Sequence, residues 1–206
     1  MIQLNKKGLL IVLSGPSGVG KDTVIQKMLE DRDDVVVSLT STTREMRAGE
    51  THGLEYNFIS PEQFEKMIAA GELMEYAVYS GNYYGTPARP VETLRAEGKH
   101  VILEIEVLGA KKIREKCPDA LSIFIMPPSM DSLRQRLLLR GTDSETEIEN
   151  RLQIARGEIG RADEYDYIII NENIDISAAQ LSSIITAADC RVERMADIIQ
   201  EVCDNA

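Results

Sequence analysis

The chain has 206 residues, of which 43% are hydrophobic and 28% charged, a composition typical of a globular protein with a sizeable core. A formal net charge of −11 disfavours binding to nucleic acid, because phosphate backbones attract basic surfaces. The three cysteines show neither metal-ligand spacing nor a disulfide framework, no apolar run is long enough to span a membrane, and the N-terminus lacks a signal-peptide pattern, so we expect a cytoplasmic protein.

Short apolar runs alternate with helical periodicity along most of the chain, a pattern typical of an α/β fold with a parallel core sheet. Strands are predicted at residues 8–14, 35–39, 100–106, 121–126 and 166–170, and helices at 20–31, 88–98, 108–116, 129–140, 145–163 and 176–204. The last helix carries apolar residues up to Val192, which predicts a face that either packs on the core or pairs with another subunit.

A glycine-rich segment joins the first strand to the first helix. It consists of Gly15, Pro16, Ser17, Gly18, Val19, Gly20, Lys21, Asp22 and Thr23. This layout is typical of a phosphate-binding loop, in which backbone N–H groups and a lysine surround phosphate oxygens. Asp22 stands where such loops usually carry a Ser or Thr that contacts Mg²⁺, so the metal contact stays open. An ordinary glycine-rich surface turn is the alternative.

Residues 40–90 interrupt the alternation and predict a mixed α+β insert that projects over the phosphate site. Within it, a strand is predicted near 54–58, and Ser60 with Gln63 forms a capping box for a following helix. Arg44 and Arg47 lie in a hydroxyl-rich stretch, where two guanidinium groups could converge on one phosphate. Solvated surface charge is the alternative for this pair.

Two further stretches contain candidate binding groups. Glu75 precedes a turn with Tyr84 and Thr86, and a carboxylate there could accept from the N1–H and 2-amino groups of guanine, donors that adenine lacks. A tight turn with core aromatics is the alternative. Glu104 and Glu106 alternate at the end of a predicted strand, where carboxylates can orient the water shell of Mg²⁺ and where a solvated strand end is the alternative.

Arginines on the predicted helices 129–140 and 145–163 form the last candidate group. Arg136 and Arg140 share a helix face, and Arg151 follows an acidic loop, so a hinged segment could bring these cations onto transferring phosphates. An ordinary charged helix face is the alternative.

Together these motifs resemble those of the guanylate kinase family, enzymes that phosphorylate GMP with ATP. The match runs in order over about residues 8–172 and is carried by residues 15–23, 41–44, 47–50, Gly53, 56–58, 80–85, 103–106, 127–129, 140–142, Arg151 and Asn171. Three positions depart from the usual family pattern conservatively, with Glu at 104 and 106 where Asp is common and Thr40 where Ser is common. Asp22 is the substantial departure.

The resemblance implies a P-loop three-layer α/β sandwich forming a single domain over 1–206. The core comprises 1–39, 91–133 and 164–206, the GMP-binding insert 40–90, and a helical lid 134–163. Lys21 and the loop amides would hold the phosphates of ATP, and Asn171 would lie by its base. Arg44, Arg47, Tyr56 and Tyr84 would hold the GMP phosphate, Thr40, Glu75 and Thr86 would contact guanine, and Glu104 would complete the GMP site. Arg136, Arg140 and Arg151 would neutralise the transferring phosphoryl group.

The resemblance further implies Mg²⁺, oriented through water by Glu104 and Glu106, with ATP, GMP and dGMP as small-molecule partners and a monomer or homodimer as the assembly. Two alternatives remain at this stage. A non-catalytic interaction module typically loses phosphate-binding residues, whereas Lys21, Arg44 and Arg47 are present here. A kinase for another nucleoside monophosphate is disfavoured by Glu75.

Overall fold

The computed structural model describes residues 7–47, 49–79, 81–141 and 144–204, leaving aside the side chains of Arg140 and Asp197. Its strands are β1 Leu10–Ser14, β2 Val35–Val37, β3 Ser41–Thr42, β4 Asn57–Phe58, β5 Leu73–Tyr79, β6 Asn82–Pro87, β7 His100–Glu104, β8 Leu121–Met126 and β9 Tyr167–Ile170. Its α-helices are α1 Lys21–Leu29, α2 Pro61–Ala69, α3 Ala88–Ala96, α4 Val107–Lys116, α5 Met130–Arg140, α6 Glu145–Ile159, α7 Ile174–Asp189 and α8 Ala196–Asp204.

Five strands form a parallel sheet in the order β2-β7-β1-β8-β9. Alternate residues of β1 point to opposite faces, so Ile11 and Leu13 pack against α1 and α7, while Leu10 and Val12 pack against α3 and α4. All four side chains are fully buried, and each such burial contributes about 1.5–3 kcal/mol. The predicted α/β three-layer sandwich is confirmed.

A second sheet lies within the interrupting segment and has the order β4-β3-β6-β5. Strand β3 runs parallel to β4 and antiparallel to β6, and β5 pairs with β6 as a hairpin. Helix α2 begins with the predicted capping box of Ser60 and Gln63, and its fully buried Phe64 stacks on Tyr83 at 5.0 Å between ring centroids. The mixed α+β character expected of this segment is therefore observed.

Helices α5 and α6 form a hairpin with an apolar cluster of its own, made by Leu133, Leu137, Ile148, Leu152 and Ala155. Arg134 of α5 is paired with Glu149 of α6 on the exposed side of the hairpin. The hairpin thus holds together through contacts separate from those of the main core. The division into core, insert and lid at the boundaries given above stays a prediction.

Several predicted elements differ from the structure at their ends. The first, second, third and last core strands of the prediction are longer than β1, β2, β7 and β9, whereas β8 has the predicted bounds. Because β7 ends at Glu104, Glu106 is the N-cap of α4. The predicted helix 145–163 ends at Ile159 and is followed by a 3₁₀ turn. At each of these ends the sequence pattern extends beyond the residues that form the regular hydrogen bonds of the strand or helix.

The predicted C-terminal helix 176–204 is wrong as a single element. Helix α7 ends at Asp189, a 3₁₀ turn covers Val192–Arg194, and α8 follows. Arg194 folds back to donate to the Asp189 carboxylate at 2.9 Å and to the Lys7 carbonyl at 2.6 Å, which anchors the break. Val192 is consequently 72% exposed instead of continuing the apolar face. No helix among the described residues is both long and apolar enough to cross a membrane.

Candidate active site

The glycine-rich loop lies between β1 and α1, at the carboxyl end of the parallel sheet. A side chain at Gly15 would place its Cβ 2.1 Å from the Ile125 carbonyl oxygen, so only glycine permits this approach of loop and β8. Gly20 has φ +92° and caps α1 without any side chain, leaving the first amides of the helix free of a capping side chain. Such an open helix N-terminus favours a bound anion.

Lys21 and two carboxylates meet beside this loop. The Lys21 ammonium donates to the Gly15 carbonyl at 2.9 Å and lies 3.8 Å from the Glu104 carboxylate. Burial raises the pKa of Glu104, the Lys21 charge opposes this rise, and a hydrogen bond with Asp22 adds to it. Asp22, whose metal contact the sequence left open, therefore lies close enough to Glu104 to act on its carboxyl group beside the loop lysine.

A cleft of about 530 Å³ opens in front of the loop, and β5, α4 and α6 form its other walls. Besides the loop, its lining includes Tyr79, Glu106, Arg151, Glu158 and Arg161. Burial raises the pKa of Glu106, which the Lys21 charge opposes, and it raises the pKa of Glu158 to about 7. Sequence reasoning missed Glu158 and Arg161. Their spacing in the sequence could have indicated them, because positions 151, 154, 158 and 161 are three or four residues apart, as on one face of a helix.

A second group of side chains surrounds Arg44 in the insert. Its guanidinium donates to both carboxylate oxygens of Glu50, at 2.7 and 2.9 Å, and lies 5.5 Å from the ring centroids of Tyr56 and Phe58. The hydrogen bonds from Arg44 lower the pKa of Glu50 to about 2. Glu50 thus fixes the orientation of Arg44, a role that the sequence motif did not reveal.

The Arg44 group faces the phosphate-binding loop. Burial raises the pKa of Tyr56, and the charges of Tyr84, Glu104 and Asp22 add to the rise. Tyr56 also contacts Tyr84 edge to face, with 6.1 Å between ring centroids. The structure therefore brings three of the expected GMP-binding residues, Arg44, Tyr56 and Tyr84, together within electrostatic reach of the loop carboxylates.

Glu75 and Thr86 form a buried pair in the hairpin of β5 and β6. They are direct cross-strand partners, and the Thr86 hydroxyl donates to the Glu75 carboxylate at 2.9 Å. Glu75 is 5% exposed and Thr86 is fully buried, and burial raises the pKa of Glu75. A buried carboxylate with one neutral hydroxyl donor retains strong acceptor capacity for further donors.

Two other expected GMP-binding residues lie outside these clusters. Arg47 is exposed, and its backbone N–H donates to Glu50 at 2.7 Å. Thr40 is half-buried just before β3, where its carbonyl accepts from the Asn57 N–H. The structure therefore connects Arg47 to the Arg44 group through Glu50, while a ligand contact of either side chain stays a prediction.

Arg136 and Asn171 donate hydrogen bonds to the backbone of the glycine-rich loop. Arg136 donates to the carbonyls of Val19 and Asn171, at 2.9 and 2.7 Å, and the Asn171 carboxamide donates to the Val19 carbonyl at 2.8 Å. Arg151 reaches the loop from α6, where it donates to the Ser17 hydroxyl at 2.9 Å. The expected contacts of these residues with ATP stay predictions, and the Arg140 side chain lies outside the described part of the structure.

Comparison with known proteins agrees with this geometry. A family model described as guanylate kinase matches residues 7–188. The guanylate kinase of Clostridioides difficile (strain 630) is 45% identical over 196 residues, which cover 95% of this chain and 96% of the relative. That of Desulfitobacterium hafniense (strain Y51) is 47% identical over 195 residues, covering 95% of this chain and 98% of the relative.

A solved structure leads to the same family. The crystal structure of guanylate kinase from Anaplasma phagocytophilum has a TM-score of 0.77 and 37% identity, covering 93% of this chain and 92% of its own. The family match spans the glycine-rich loop, the insert and the helical hairpin alike. This chain belongs to the guanylate kinase family.

Proposed function

We propose that this protein transfers the terminal phosphoryl group of ATP to GMP, giving ADP and GDP. The observation that carries the proposal is the presence of two unlike groups of residues. Beside the cleft, the glycine-rich loop and Lys21 offer cationic and N–H groups for a polyphosphate. In the insert, Arg44 and the buried Glu75–Thr86 pair offer groups for a phosphate and a guanine base.

In this proposal the donor phosphates lie along the loop amides, the N-terminus of α1 and Lys21. The Lys21 ammonium already sits between the Gly15 carbonyl and Glu104, so it can turn toward a phosphate without leaving the loop. Arg151, which touches Ser17, is placed to neutralise charge on the same phosphates. Phosphoryl transfer needs little covalent help from the protein, so positioning and charge neutralisation supply most of the catalysis.

The acceptor phosphate would be bound by Arg44, with Arg47, Tyr56 and Tyr84 around it. Glu50 occupies both sides of the Arg44 fork here, so the phosphate must share that guanidinium through its remaining N–H donors. The bidentate pair thereby keeps Arg44 oriented before GMP arrives. Such preorganisation lowers the entropic cost of binding.

The guanine base would be read by the Glu75 carboxylate. Its N1–H and 2-amino group are donors, and an acceptor-only carboxylate matches both, whereas adenine presents no such pair on that edge. Thr86 fixes one carboxylate oxygen at 2.9 Å, and Thr40 lies at the start of the neighbouring strand. Burial of the pair makes an unmatched base costly, which favours GMP over other nucleoside monophosphates.

Kinases that use ATP generally need a divalent metal ion, and we infer that Mg²⁺ serves here. The donor set fits it, because Asp22, Glu104 and Glu106 offer carboxylate oxygens beside the phosphate loop. Among the described residues, no three His, Cys, Asp or Glu side chains are grouped as a metal site, so ATP oxygens and water would supply the remaining ligands. Bound Mg²⁺ neutralises charge on the phosphate oxygens.

The two alternative functions fare less well. A non-catalytic interaction module has no need of Lys21 beside a carboxylate pair, nor of Arg151 aimed at the loop. A kinase for another nucleoside monophosphate does not need a buried acceptor such as Glu75. We further propose that dGMP is accepted, that the protein is a monomer or homodimer, and that it works in the cytoplasm.

A coupled assay of ADP release tests the proposed function. The purified protein is supplied with ATP, Mg²⁺ and either GMP, dGMP, AMP, UMP or CMP. We expect rapid turnover with GMP and preference for it over AMP by about 100-fold or more, because a buried acceptor left unmatched penalises the wrong base. Equal rates with AMP and GMP would contradict the guanine assignment, and no turnover with any acceptor would favour the interaction module.

Glu75→Gln tests the base contact directly. The variant turns one acceptor oxygen into an N–H₂ donor that faces the donors of guanine, at a cost of about 1–3 kcal/mol. We therefore expect the fold to persist while the KM for GMP rises by about 5- to 150-fold. Wild-type affinity for GMP in this variant would remove Glu75 from the guanine site.

A further inference from the structure

Gly109 occupies a helical position where glycine is unfavourable. It lies in the first turns of α4, buried on the side that faces the insert. A glycine inside a helix is less favourable than alanine, because its backbone loses more conformational freedom when the helix forms. Since alanine would suit this helical position better, the absence of a side chain calls for a local reason.

The space next to Gly109 is filled by Glu75. A Cβ placed on Gly109 would lie 3.3 Å from Cδ of Glu75 and only 2.7 Å from its Oε2, and the second distance is shorter than real Cβ contacts allow. The other oxygen, Oε1, accepts from the Thr86 hydroxyl at 2.9 Å. The carboxylate is therefore held between the Thr86 side chain and the backbone of α4.

Helix α4 has little freedom to retreat from this contact. Lys112 donates to the Tyr76 carbonyl at 2.6 Å, and Lys116 donates to the Met74 carbonyl at 3.0 Å. These two carbonyls flank Glu75 on β5, and the lysines continue the helix face that starts at Gly109. The Lys112 ammonium also lies 5.0 Å from the centre of the Tyr76 ring. These hydrogen bonds hold α4 against β5 at the residues before and after Glu75.

We propose that Gly109 is a specificity-positioning residue, whose missing side chain provides the space that keeps the Glu75 carboxylate aimed at the base of the acceptor nucleotide. This inference rests on the proposed function, in which Glu75 binds guanine. Gly109 itself does not touch the substrate. Any side chain at 109 displaces the carboxylate, because Thr86 blocks one side and the two lysine bonds hold α4 in place.

The test is Gly109→Ala, measured with GMP, IMP and ATP. IMP keeps the N1–H of guanine but lacks the 2-amino group, so its binding reports whether the carboxylate still meets both donors. A misplacement of about 1 Å can cost about 100-fold, so we expect the KM for GMP to rise by about 10- to 100-fold. The KM for ATP should stay as in the wild type, and the preference for GMP over IMP should fall.

A double-mutant cycle with Glu75→Ala separates this inference from the proposed function. If Gly109 acts through Glu75, adding Gly109→Ala to Glu75→Ala raises the KM for GMP no further. Equal rises in both backgrounds, or no rise in Gly109→Ala alone, would overturn the inference about Gly109. If Glu75→Ala leaves the KM for GMP unchanged, the guanine assignment fails instead.

Unfolding measurements on the ligand-free protein cover the case of a poorly folded variant. Gly157→Ala in α6 is the matched control for stability alone, because a Cβ there meets nothing within 4 Å. We expect Gly157→Ala to raise Tm and Gly109→Ala to lower it, through the contact with Glu75. The variant carrying both Glu75→Ala and Gly109→Ala should recover Tm relative to Gly109→Ala, and failure to recover would overturn the contact.

Discussion

The phosphate-binding loop and the insert that faces it are built from different parts of the chain. The loop offers its backbone, since its glycine conformations and the start of α1 present N–H donors within residues 15–23, where Pro16 alone has no N–H group. The insert offers side chains from separate segments, since Arg44 follows β3, Tyr56 precedes β4 and Glu75 lies on β5. A binding site made of backbone groups depends on the path of the main chain and on the glycines that permit it. A binding site made of side chains depends on the identity of each residue and on the neighbouring groups that fix its orientation.

Their supports differ accordingly. The loop follows β1, whose five residues are all buried inside a parallel sheet. The insert's strand β5 exposes Val78 and Tyr79, so its key side chains have their own fixing partners. Glu50 fixes Arg44, and Thr86 fixes Glu75. The comparison teaches that the donor end is rigid through packing and the acceptor end through paired polar side chains.

Lys21→Ala should give the largest effect, because Lys21 is the cationic side chain that belongs to the backbone-built loop itself. We expect kcat to fall by about 100- to 1000-fold, the usual cost of removing one donor to a charge that develops in the transition state. Steady-state kinetics with saturating ATP and GMP measure this. Lys21 also donates to Gly15, so circular dichroism and GMP binding of the variant serve as the control for loop structure. A loss below about 10-fold would contradict the role of Lys21.

Arg44→Ala should weaken the acceptor end alone. Loss of charged hydrogen bonds costs about 2 kcal/mol or more, so the KM for GMP should rise by about 30-fold while ATP binding changes little. Arg44→Lys should restore little, because an ammonium cannot bind Glu50 and a phosphate in the same plane. Arg47→Ala is the matched variant, and we expect a smaller rise there because Arg47 is exposed. A fall in ATP affinity with unchanged GMP binding would reverse the assignment of the two ends.

The same contrast explains how far the sequence could predict this molecule. The loop could be predicted from the sequence because all its residues are consecutive and lie between an apolar strand and a helix. The core strands could be predicted because β1, β7 and β8 are mostly apolar, as expected of strands that are buried on both faces. The capping box of Ser60 predicted the start of α2 for a local reason as well.

The sequence could not predict roles that depend on the register of paired strands or on contacts with residues distant in the chain. The pairing of Glu75 with Thr86 follows from the alignment of β5 with β6, which includes a bulge between Leu73 and Glu75. The contact of Gly109 with Glu75 joins two elements far apart in sequence. The end of α7 depends on Arg194 reaching Asp189, and no glycine or proline marks that break.

Asp22→Ser tests the odd residue of the backbone-built end. Asp22 and Glu104 share a hydrogen bond, so replacing Asp22 with the hydroxyl usual in such loops removes an acidic group from the polyphosphate site. We expect activity to persist and the KM for MgATP to fall by a few-fold, roughly 1 kcal/mol or less. Kinetics across a Mg²⁺ titration measure this, with Lys21→Ala as the reference for an inactive loop. If Asp22→Ser is as inactive as Lys21→Ala, Asp22 is an essential metal ligand.

Glu158→Gln is expected to act on stability, and it asks whether α6 belongs with the rigid donor end. Burial raises the pKa of Glu158 from 4.5 to about 7, with Glu106 adding to the rise and Lys21 opposing it. Between these two values the folded protein holds a proton that the unfolded chain has released. Stability contributed by this group is therefore present at low pH and is lost as pH rises toward 7. Glutamine cannot ionise, so the free energy of unfolding of the variant should rise relative to the wild type by about 1–2 kcal/mol across that pH range, after allowing for partial exposure.

Urea unfolding of the ligand-free protein at about pH 5 and about pH 8 measures the difference. Glu145→Gln, at an exposed position on the same helix, is the control for removing one negative charge. A gain equal at both pH values would mean that Glu158 is not buried against the loop and that α6 stands apart from the donor end.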